Sequence, residues 1–194
     1  HLVIRRQRQM CIRDRPKSAH IEGGDVIVTK DHVFIGYYDK DDYKNQITAR
    51  TNKKAIRTLK ELVKNKEVFP IELIKSSIKP SKNALHLDCC FQPVSKNKAV
   101  ICREAFANKI EVNFLVSYYG QENIFEVTLD EMSKLYCNFF SISENTVITD
   151  KRFKRLTNWF YEIGLNVEKL DFSEISKLGG LFRCCTLPLK RENN

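Results

Sequence analysis

The sequence has no apolar run long enough to cross a membrane. A transmembrane helix needs about 20 consecutive, mostly apolar residues, and every apolar run in these 194 residues is far shorter. The first ten residues, HLVIRRQRQM, are too basic and too short of apolar length for a secretory signal. We therefore expect a cytoplasmic protein without a membrane partner.

The sequence also lacks a regular cysteine pattern. Its seven cysteines, an odd number without regular spacing, indicate reduced thiols rather than a disulfide framework. Zinc ligands are usually separated by about two to four residues, whereas Cys89 and Cys90, like Cys184 and Cys185, are adjacent. Adjacent residues of a strand point to opposite faces, so we expect no metal site and mostly buried, inert thiols.

A concentrated block of positive charge is missing too. The net charge is +9, from 33 Lys and Arg against 24 Asp and Glu. Residues 1–15 hold five arginines and one aspartate, and the rest of the excess is spread along the chain. Charge spread in this way is typical of a solvated surface. We expect no nucleic-acid partner.

Residues 1–15 do not read as part of a natural protein. Arg5–Arg15, RRQRQMCIRDR, matches the translation of a common sequencing-library transposase adapter, and His1–Ile4 fits the flanking primer. We predict that residues 1–15 are non-native and exclude them from fold reasoning. The alternative is a native basic arm.

From residue 21 the chain alternates strand-like and helix-like segments. DVIVTK and HVFIGYY are typical of strands, and EVFPIELI is a strand with a proline that suggests an edge. Between them, NKKAIRTLKELVKN predicts a helix, capped by Thr51 or Asn52, with one apolar face. That face comprises Ala55, Ile56, Leu59, Leu62 and Val63.

This β-β-α-β order recurs at a spacing of roughly 60 residues, which favours a repeat architecture over one doubly wound sheet. LHLDCCFQPV, KAVICR and NIFEVTL are strand-like, while ANKIEVNFLVSYY is ambiguous. NFFSIS, NTVITD and NVEKLDF are strands of a third unit, with a helix predicted over about 151–163. CCTLPLK is expected to be a last strand.

His86 is the histidine best placed for chemistry. It lies in a predicted apolar strand, and Asp88 follows two residues later on the same face. A histidine in such a strand is commonly a satisfied core residue. A catalytic cysteine, however, needs a base and an orienting carboxylate that are close in space and not in sequence. Both interpretations of His86 are open on these residues alone.

Three phrases together suggest a family. They are IEGGDVIV (Ile21–Val28), LHLDCCF (Leu85–Phe91) and GGLFRCCTLPLKRE (Gly179–Glu192). In this order they resemble the amidinotransferase superfamily, which includes arginine deiminases, dimethylarginine dimethylaminohydrolases and glycine amidinotransferases. The resemblance spans residues 18–192, and the HLD phrase is more similar to the deiminases and amidinotransferases.

The resemblance implies a catalytic set of Glu22, His86 and Cys184. Glu22 would orient the imidazole, and His86 would donate and accept the protons of the reaction. Cys184, which follows the arginine of the last phrase, would attack as a thiolate. The thiols beside His86 fall where the family tolerates small or apolar residues, so they are expected to be bystanders.

The resemblance also implies substrate-binding residues. Asp88 would grip a guanidinium group through charge-assisted hydrogen bonds, and Asp25 closes the EGGD phrase of the same site. Arg50, in the phrase RTN, corresponds to a family arginine that can bind a substrate carboxylate. It follows an unusually long polar loop, DKDDYKNQITA, which departs from the family pattern.

The implied activity is cysteine-dependent hydrolysis of a guanidino compound, such as arginine or a derivative, through a covalent thiouronium intermediate. No cofactor or metal is implied. The alternatives are amidino transfer by the same site and a non-catalytic binding scaffold.

The implied fold is the pentein, an α/β propeller of five β-β-α-β modules in a ring. About three modules are recognisable here, so we predict that residues 16–194 are the C-terminal part of a single catalytic domain. Open modules expose sheet edges and apolar faces. We therefore expect this chain alone to be inactive and poorly soluble.

Overall fold

The computed structural model describes residues 16–42, 45, 51–76 and 78–187. In this part of the chain nine strands form three separate sheets of three strands each. The strands are β1 (Val26–Val28), β2 (His32–Tyr37), β3 (Glu67–Glu72), β4 (Phe91–Val94), β5 (Lys98–Ile101), β6 (Ile124–Glu126), β7 (Phe140–Ser141), β8 (Thr146–Asp150) and β9 (Asn166–Leu170).

The three sheets share one topology. In each, the first two strands are antiparallel and the third pairs in parallel with the second. Parallel neighbours need a crossover connection, which is helical in each unit. The helices are α1 (Lys53–Leu62), α2 (Lys109–Tyr119), α3 (Leu129–Ser133), α4 (Lys154–Glu162) and α5 (Ser173–Ser176), of which α1, α2 and α4 are the crossovers. The α/β class and three β-β-α-β units are confirmed.

We call β1–β3 with α1 the first unit, β4–β6 with α2 the second and β7–β9 with α4 the third. Among the described residues no sheet closes on itself. Within the part of the chain that the structure describes, β3 pairs only with β2 and is an edge strand, and Pro70 lies there, opposite Ile35. An edge position is where a proline costs no ladder hydrogen bond.

The crossover helices begin at side-chain caps where the sequence supplies them. Asn52 Oδ1 accepts from the amide of Ala55 at 3.1 Å, which starts α1. α1 buries Ala55 and Ile56 of the predicted apolar face, whereas Leu62, its last residue, is 62% exposed.

The ambiguous segment between β5 and β6 is the helix α2. Asn108 caps it, and it ends at Gly120, whose φ of 82° is open to glycine at no steric cost. Its buried residues Val112, Leu115 and Tyr119 are three and four positions apart, which is the period of one helical face. The apolar residues on its other faces conceal this period in the sequence.

The units pack through side chains of their central strands. β2 has both faces buried: Val33 and Ile35 pack with Ile56 of α1, while Phe34 points the other way and meets Phe91 edge-on, with ring centroids 5.6 Å apart. Phe34 belongs to one large core that includes the second and third units. This packing fixes the ends of β1, β4 and β7 relative to one another.

Two predicted strands are wrong in part. Leu85–Val94 is not a continuous strand, because Leu87–Cys89 forms a 3-10 turn and β4 begins only at Phe91. The Leu87 amide donates to the side chain of Asp25, which draws the chain out of the strand path. Residues 182–185 form turns instead of a last strand, with the Cys185 amide bonded to the Leu181 carbonyl, and residues 188–190 lie outside the described residues.

The predicted helix over about 151–163 is confirmed as α4. It buries Leu156 and Phe160 next to Phe153, and the chain leaves it through Gly164, which has a φ of 81°. In the described ranges, no helix has both the length and the apolar character to cross a membrane.

Candidate active site

The segments just before the first strands of the three units converge. Asp25, directly before β1, is fully buried and holds the first two units together. Its Oδ1 accepts from the Leu87 amide at 3.1 Å, and its Oδ2 accepts from the Thr51 hydroxyl at 2.6 Å. A Cβ on Gly36 would come within 2.9 Å of Oδ1, so only glycine leaves room for this carboxylate. Both oxygens of Asp25 are engaged within the protein.

Burial raises the pKa of Asp25, and the charge of His86 and the hydrogen bond from Thr51 oppose that rise. This geometry favours an anchoring role for Asp25. Its binding of substrate stays a prediction.

Glu22 and His86 form an ion pair between the first and second units. Glu22 Oε2 lies 2.7 Å from His86 Nε2, and both side chains are partly exposed, at 33% and 26%. Gly24 lies directly against the imidazole: a Cβ there would come within 2.8 Å of His86 Cγ. The second glycine of the EGGD phrase is therefore required by the ring, whereas a Cβ on Gly23 would meet nothing within 4 Å.

Asp88 lies in the 3-10 turn that follows His86 and is 3% exposed. Burial raises the pKa of Asp88 to about 7, and the negative charge of Cys184 adds to the rise while His86 opposes it. The Cys89 thiol donates to Asp88 Oδ1 at 3.4 Å. The carboxylate oxygen of Asp88 and the sulfurs of Cys89 and Cys184 all lie within 4.8 Å of one another. We call these three residues the thiol cluster.

Cys184 reaches this cluster from the turn after α5, and Asn138 of the third unit holds it there. Asn138 is fully buried, two residues before β7. Its Nδ2 donates to Cys184 Sγ at 3.2 Å, and its Oδ1 accepts from the amides of Arg183 and Cys184 at 3.1 and 3.2 Å. A Cβ on Gly180 would come within 3.2 Å of Cys184 Cβ, so the loop passes close behind the thiol.

These contacts make Cys184 acidic. The interaction with the neighbouring Cys89 thiol lowers the pKa of Cys184 to about 6 against the effect of burial, and the Leu181 amide, Asn138 and the charge of His86 act in the same direction. The same interaction and its complete burial raise the pKa of Cys89 well above its ordinary value. The exposed thiol is thus the thiolate of the pair, and the buried thiol stays protonated.

The sequence analysis missed two residues of this site. The sulfur of Cys89 lies within 4.8 Å of that of Cys184, which was not expected, while its bystander role in the chemistry stays a prediction. Asn138 was not singled out at all. Both stand two positions before the first strand of their unit, and Gly24 does so in the first unit. An alignment of the three units on these strands would have pointed to both.

The neighbouring thiols face elsewhere. The buried Cys90 donates to the carbonyl of Leu87 at 3.4 Å, and Cys185 donates to that of Phe182 at 3.4 Å. The bystander role expected of Cys90 stays a prediction. Arg50 lies outside the described residues.

Two groups in the described chain have ligand atoms close enough to hold a metal ion, namely the thiol cluster and Glu22, Asp25 and His86. The spacing of the cysteines along the chain does not reveal the first group, because that group brings together Cys89 and Cys184, which are far apart in sequence. Hydrogen bonds and an ion pair within each group account for its short distances. A site without metal stays a prediction.

Residues 8–191 match the family described as N,N dimethylarginine dimethylhydrolase, eukaryotic. The chain belongs to this family. With it the chain belongs to the pentein superfamily, as the three phrases indicated. The superfamily includes proteins that act on guanidino compounds by hydrolysis or amidino transfer, which sets the general chemistry expected of the site.

Individual proteins also resemble this chain in sequence or in fold. The uncharacterized protein YkgA of Bacillus subtilis is 33% identical over 177 residues, covering 91% of this chain and 54% of YkgA. Apo ArgZ, an arginine dihydrolase of cyanobacteria, superposes with a TM-score of 0.70 at 20% identity, over 87% of this chain and 24% of ArgZ. SxtG, an amidinotransferase from Microseira wollei, has a TM-score of 0.69 at 17% identity, over 92% of this chain and 50% of SxtG.

At these identities the two structures share the fold with this chain. The chain spans about half the length of YkgA and of SxtG, and a quarter of ArgZ.

Proposed function

We propose that this chain carries the reactive centre of a cysteine-dependent hydrolase that acts on a guanidino compound. One observation supports it above the others. The Cys184 sulfur lies within 4.8 Å of the Asp88 carboxylate, and the charge of His86, ion-paired to Glu22, lowers the pKa of that thiol. A nucleophile, a cation-binding carboxylate and an oriented proton carrier thus come from separate parts of the chain.

The substrate class follows from charge. Asp88 and a thiolate at Cys184 repel each other, which is part of why the pKa of Asp88 is raised to about 7. A bound guanidinium would place a positive charge between the two groups and stabilise both anions. Its planar N–H donors match a carboxylate through charge-assisted hydrogen bonds. Binding of the substrate and ionisation of the site therefore favour each other.

In the proposed first step, the Cys184 thiolate attacks the guanidinium carbon and forms a C–S bond. His86 donates a proton to the leaving nitrogen as the C–N bond breaks, which leaves a covalent thiouronium on the sulfur. The 2.7 Å contact with Glu22 would keep the charged imidazole aimed at this nitrogen. Asp88 would hold the remaining N–H groups in attack geometry.

In the second step, water attacks the thiouronium carbon and passes a proton to His86. The C–S bond then breaks as the new hydroxyl group loses its proton to solvent and becomes the carbonyl of the ureido product, and Cys184 is again a thiolate. A solved N-terminal domain of ArgZ is described as covalently bound to a reaction intermediate. That description supports a covalent path on this fold.

The substrate is proposed from the family and from the HLD phrase. The family description favours methylated arginines, while the HLD phrase is more similar to arginine deiminases. We propose arginine or an N-methylated derivative, with Arg50 as a ligand for its carboxylate. Amidino transfer by the same site is the second candidate, favoured by the similarity to SxtG. It would replace water with an amine in the second step.

The chain spans about half the length of YkgA and of SxtG. The test therefore measures the chemical reactivity of Cys184 and not catalytic turnover. The cationic alkylating reagent 2-chloroacetamidine should modify Cys184 before the other five described cysteines. His86→Ala should slow this labelling strongly, and Cys184→Ser should abolish it. Cys185→Ser is the matched control, since that thiol faces the Phe182 carbonyl, and it should label at the wild-type rate. Equal labelling of all cysteines, or none, would instead favour a binding scaffold.

A further inference from the structure

We propose that peroxide joins Cys184 to Cys89 in a disulfide, which makes the thiol cluster a reversible modification site. The disulfide itself depends only on the geometry of the two thiols. Its consequence, inhibition of guanidino chemistry while the bond lasts, rests on the proposed function. No step of that chemistry uses Cys89 as a nucleophile.

The two sulfurs are close and share a neighbour. They lie within 4.8 Å of each other, and Asn138 Nδ2 is 3.2 Å from the sulfur of Cys184 and 3.7 Å from that of Cys89. A disulfide needs an S–S distance of about 2.05 Å. Cys184 is exposed on a turn, so a shift of that turn toward the 3-10 turn of Cys89 would close the gap.

The two thiols also differ in the way that such a reaction requires. Cys184 is exposed and is the more acidic thiol, so it is the one that meets peroxide as a thiolate. Cys89 is buried and protonated, and its S–H points at Asp88 Oδ1, 3.4 Å away. The carboxylate therefore stands where the proton of Cys89 must go when that sulfur attacks.

The steps balance with hydrogen peroxide as the oxidant. The Cys184 thiolate attacks a peroxide oxygen and the O–O bond breaks. Hydroxide is the leaving group, and Cys184 becomes a sulfenic acid. Cys89 passes its proton to Asp88 and attacks the sulfenic sulfur. The S–S bond forms, the S–O bond breaks, and the oxygen leaves as water with the proton from Asp88. A dithiol reductant then restores both thiols.

Other pairings are disfavoured by the direction of their thiols. Cys90 donates to the carbonyls of His86 and Leu87, away from the thiol cluster. Cys185 donates to the Phe182 carbonyl within its own turn.

Mass spectrometry of the peroxide-treated chain tests the proposal. After blocking of free thiols and tryptic digestion, Cys89 lies in the peptide Asn83–Lys96 and Cys184 in the peptide Cys184–Lys190. We expect a cross-linked species of these two peptides in which the second cysteine of each carries the blocking group. Its mass should be two hydrogens below the sum of the two singly blocked peptides. It should persist in Cys90→Ser and Cys185→Ser and be lost in Cys89→Ser, where serine keeps a hydrogen-bond donor at that position.

A second readout is recovery. After peroxide and then dithiothreitol, wild-type Cys184 should again react with iodoacetamide. In the Cys89→Ser variant, Cys184 should instead carry two added oxygens as a sulfinic acid. Its reaction with iodoacetamide should then not return after dithiothreitol. A Cys184–Cys185 disulfide, or sulfinic acid forming equally fast with and without Cys89, would overturn the proposal.

The two proposals fail separately. A Cys89–Cys184 cross-link in a chain that 2-chloroacetamidine does not label selectively would leave the disulfide standing and remove the hydrolase. Selective labelling without a cross-link would do the opposite.

Discussion

Two buried aspartates, one in each of the first two units, differ in what surrounds them. Asp25 accepts a backbone amide and a hydroxyl at 3.1 and 2.6 Å. Asp88 is nearly as buried, yet among the described residues the hydrogen bond to its side chain comes from a weak thiol donor, Cys89. The hydrogen bonds of Asp25 favour an anchoring role, whereas the weaker contact of Asp88 supports its proposed role in binding a cation.

The largest expected effect is on the anchor. Asp25→Ala leaves the Leu87 amide and the Thr51 hydroxyl without their acceptor, which should lower the free energy of unfolding by about 3 kcal/mol. Asp88→Asn should cause no comparable loss at neutral pH, because it removes a carboxylate whose ionisation is disfavoured by burial. Urea denaturation measures both. Equal losses in the two variants would remove the distinction between them.

The second largest effect is expected at Gly24, which lies against the His86 imidazole. Gly24→Ala forces a methyl group to within 2.8 Å of the His86 ring, and such overpacking costs about 1–3 kcal/mol. The ring must also move from Glu22, so labelling of Cys184 by 2-chloroacetamidine should slow. Gly23→Ala is the matched control, because its new Cβ meets nothing within 4 Å. The idea fails if both variants label at the same rate.

The cation-binding role of Asp88 is tested by reagent charge. Asp88→Asn removes a charge-assisted hydrogen bond of about 1.5–3 kcal/mol, so labelling by cationic 2-chloroacetamidine should fall at least about tenfold. Labelling by neutral iodoacetamide should not fall, because removing the neighbouring anion favours the thiolate. Asp130→Asn, at an exposed carboxylate paired with Lys134, is the control. A parallel loss with both reagents would contradict the role.

The pKa of Asp88 also sets the sign of a pH effect on stability. The pKa of Asp88 in the folded state, about 7, lies above its ordinary value of 3.8. At pH values between these two, the folded state therefore binds more protons than the unfolded state. Stability contributed by the protonated form is complete at acid pH and is lost as the pH rises from about 4 to about 7. Asp88→Asn should flatten this part of the curve, measured by urea unfolding at each pH.

The smallest expected effect is that of Asn138. Its amide donates to Cys184 Sγ at 3.2 Å, and a hydrogen bond to the charged form lowers a thiol pKa by up to about one unit. In wild type, alkylation by iodoacetamide should rise with pH around a midpoint of about 6. Asn138→Ala should move that midpoint upward. An unchanged midpoint would show that Asn138 only supports the turn.

Much of the fold could be predicted from the sequence because it is local. Strand alternation and helical period gave the three units, and Gly164 marked the end of α4. The 3-10 turn at Leu87–Cys89 could not be predicted, because the side chain of Asp25, sixty-two positions away in the chain, bends it. The turns at residues 182–185 are fixed in the same way, by contacts of Asn138 with Arg183 and Cys184.

The residues of the site also differ in whether they could be predicted from local sequence. Glu22, His86 and Cys184 were identifiable because they stand in phrases that resemble a family. Cys89 and Asn138 were not, since their importance lies in facing Cys184 from two other units.

A crystal structure of the chain after reaction with 2-chloroacetamidine tests the shared site most directly. We expect the adduct on Cys184 Sγ, with its amidinium nitrogens within hydrogen-bonding distance of the Asp88 carboxylate and the Glu22–His86 ion pair intact. An adduct on another cysteine, or one on Cys184 that points into solvent away from Asp88, would contradict the account.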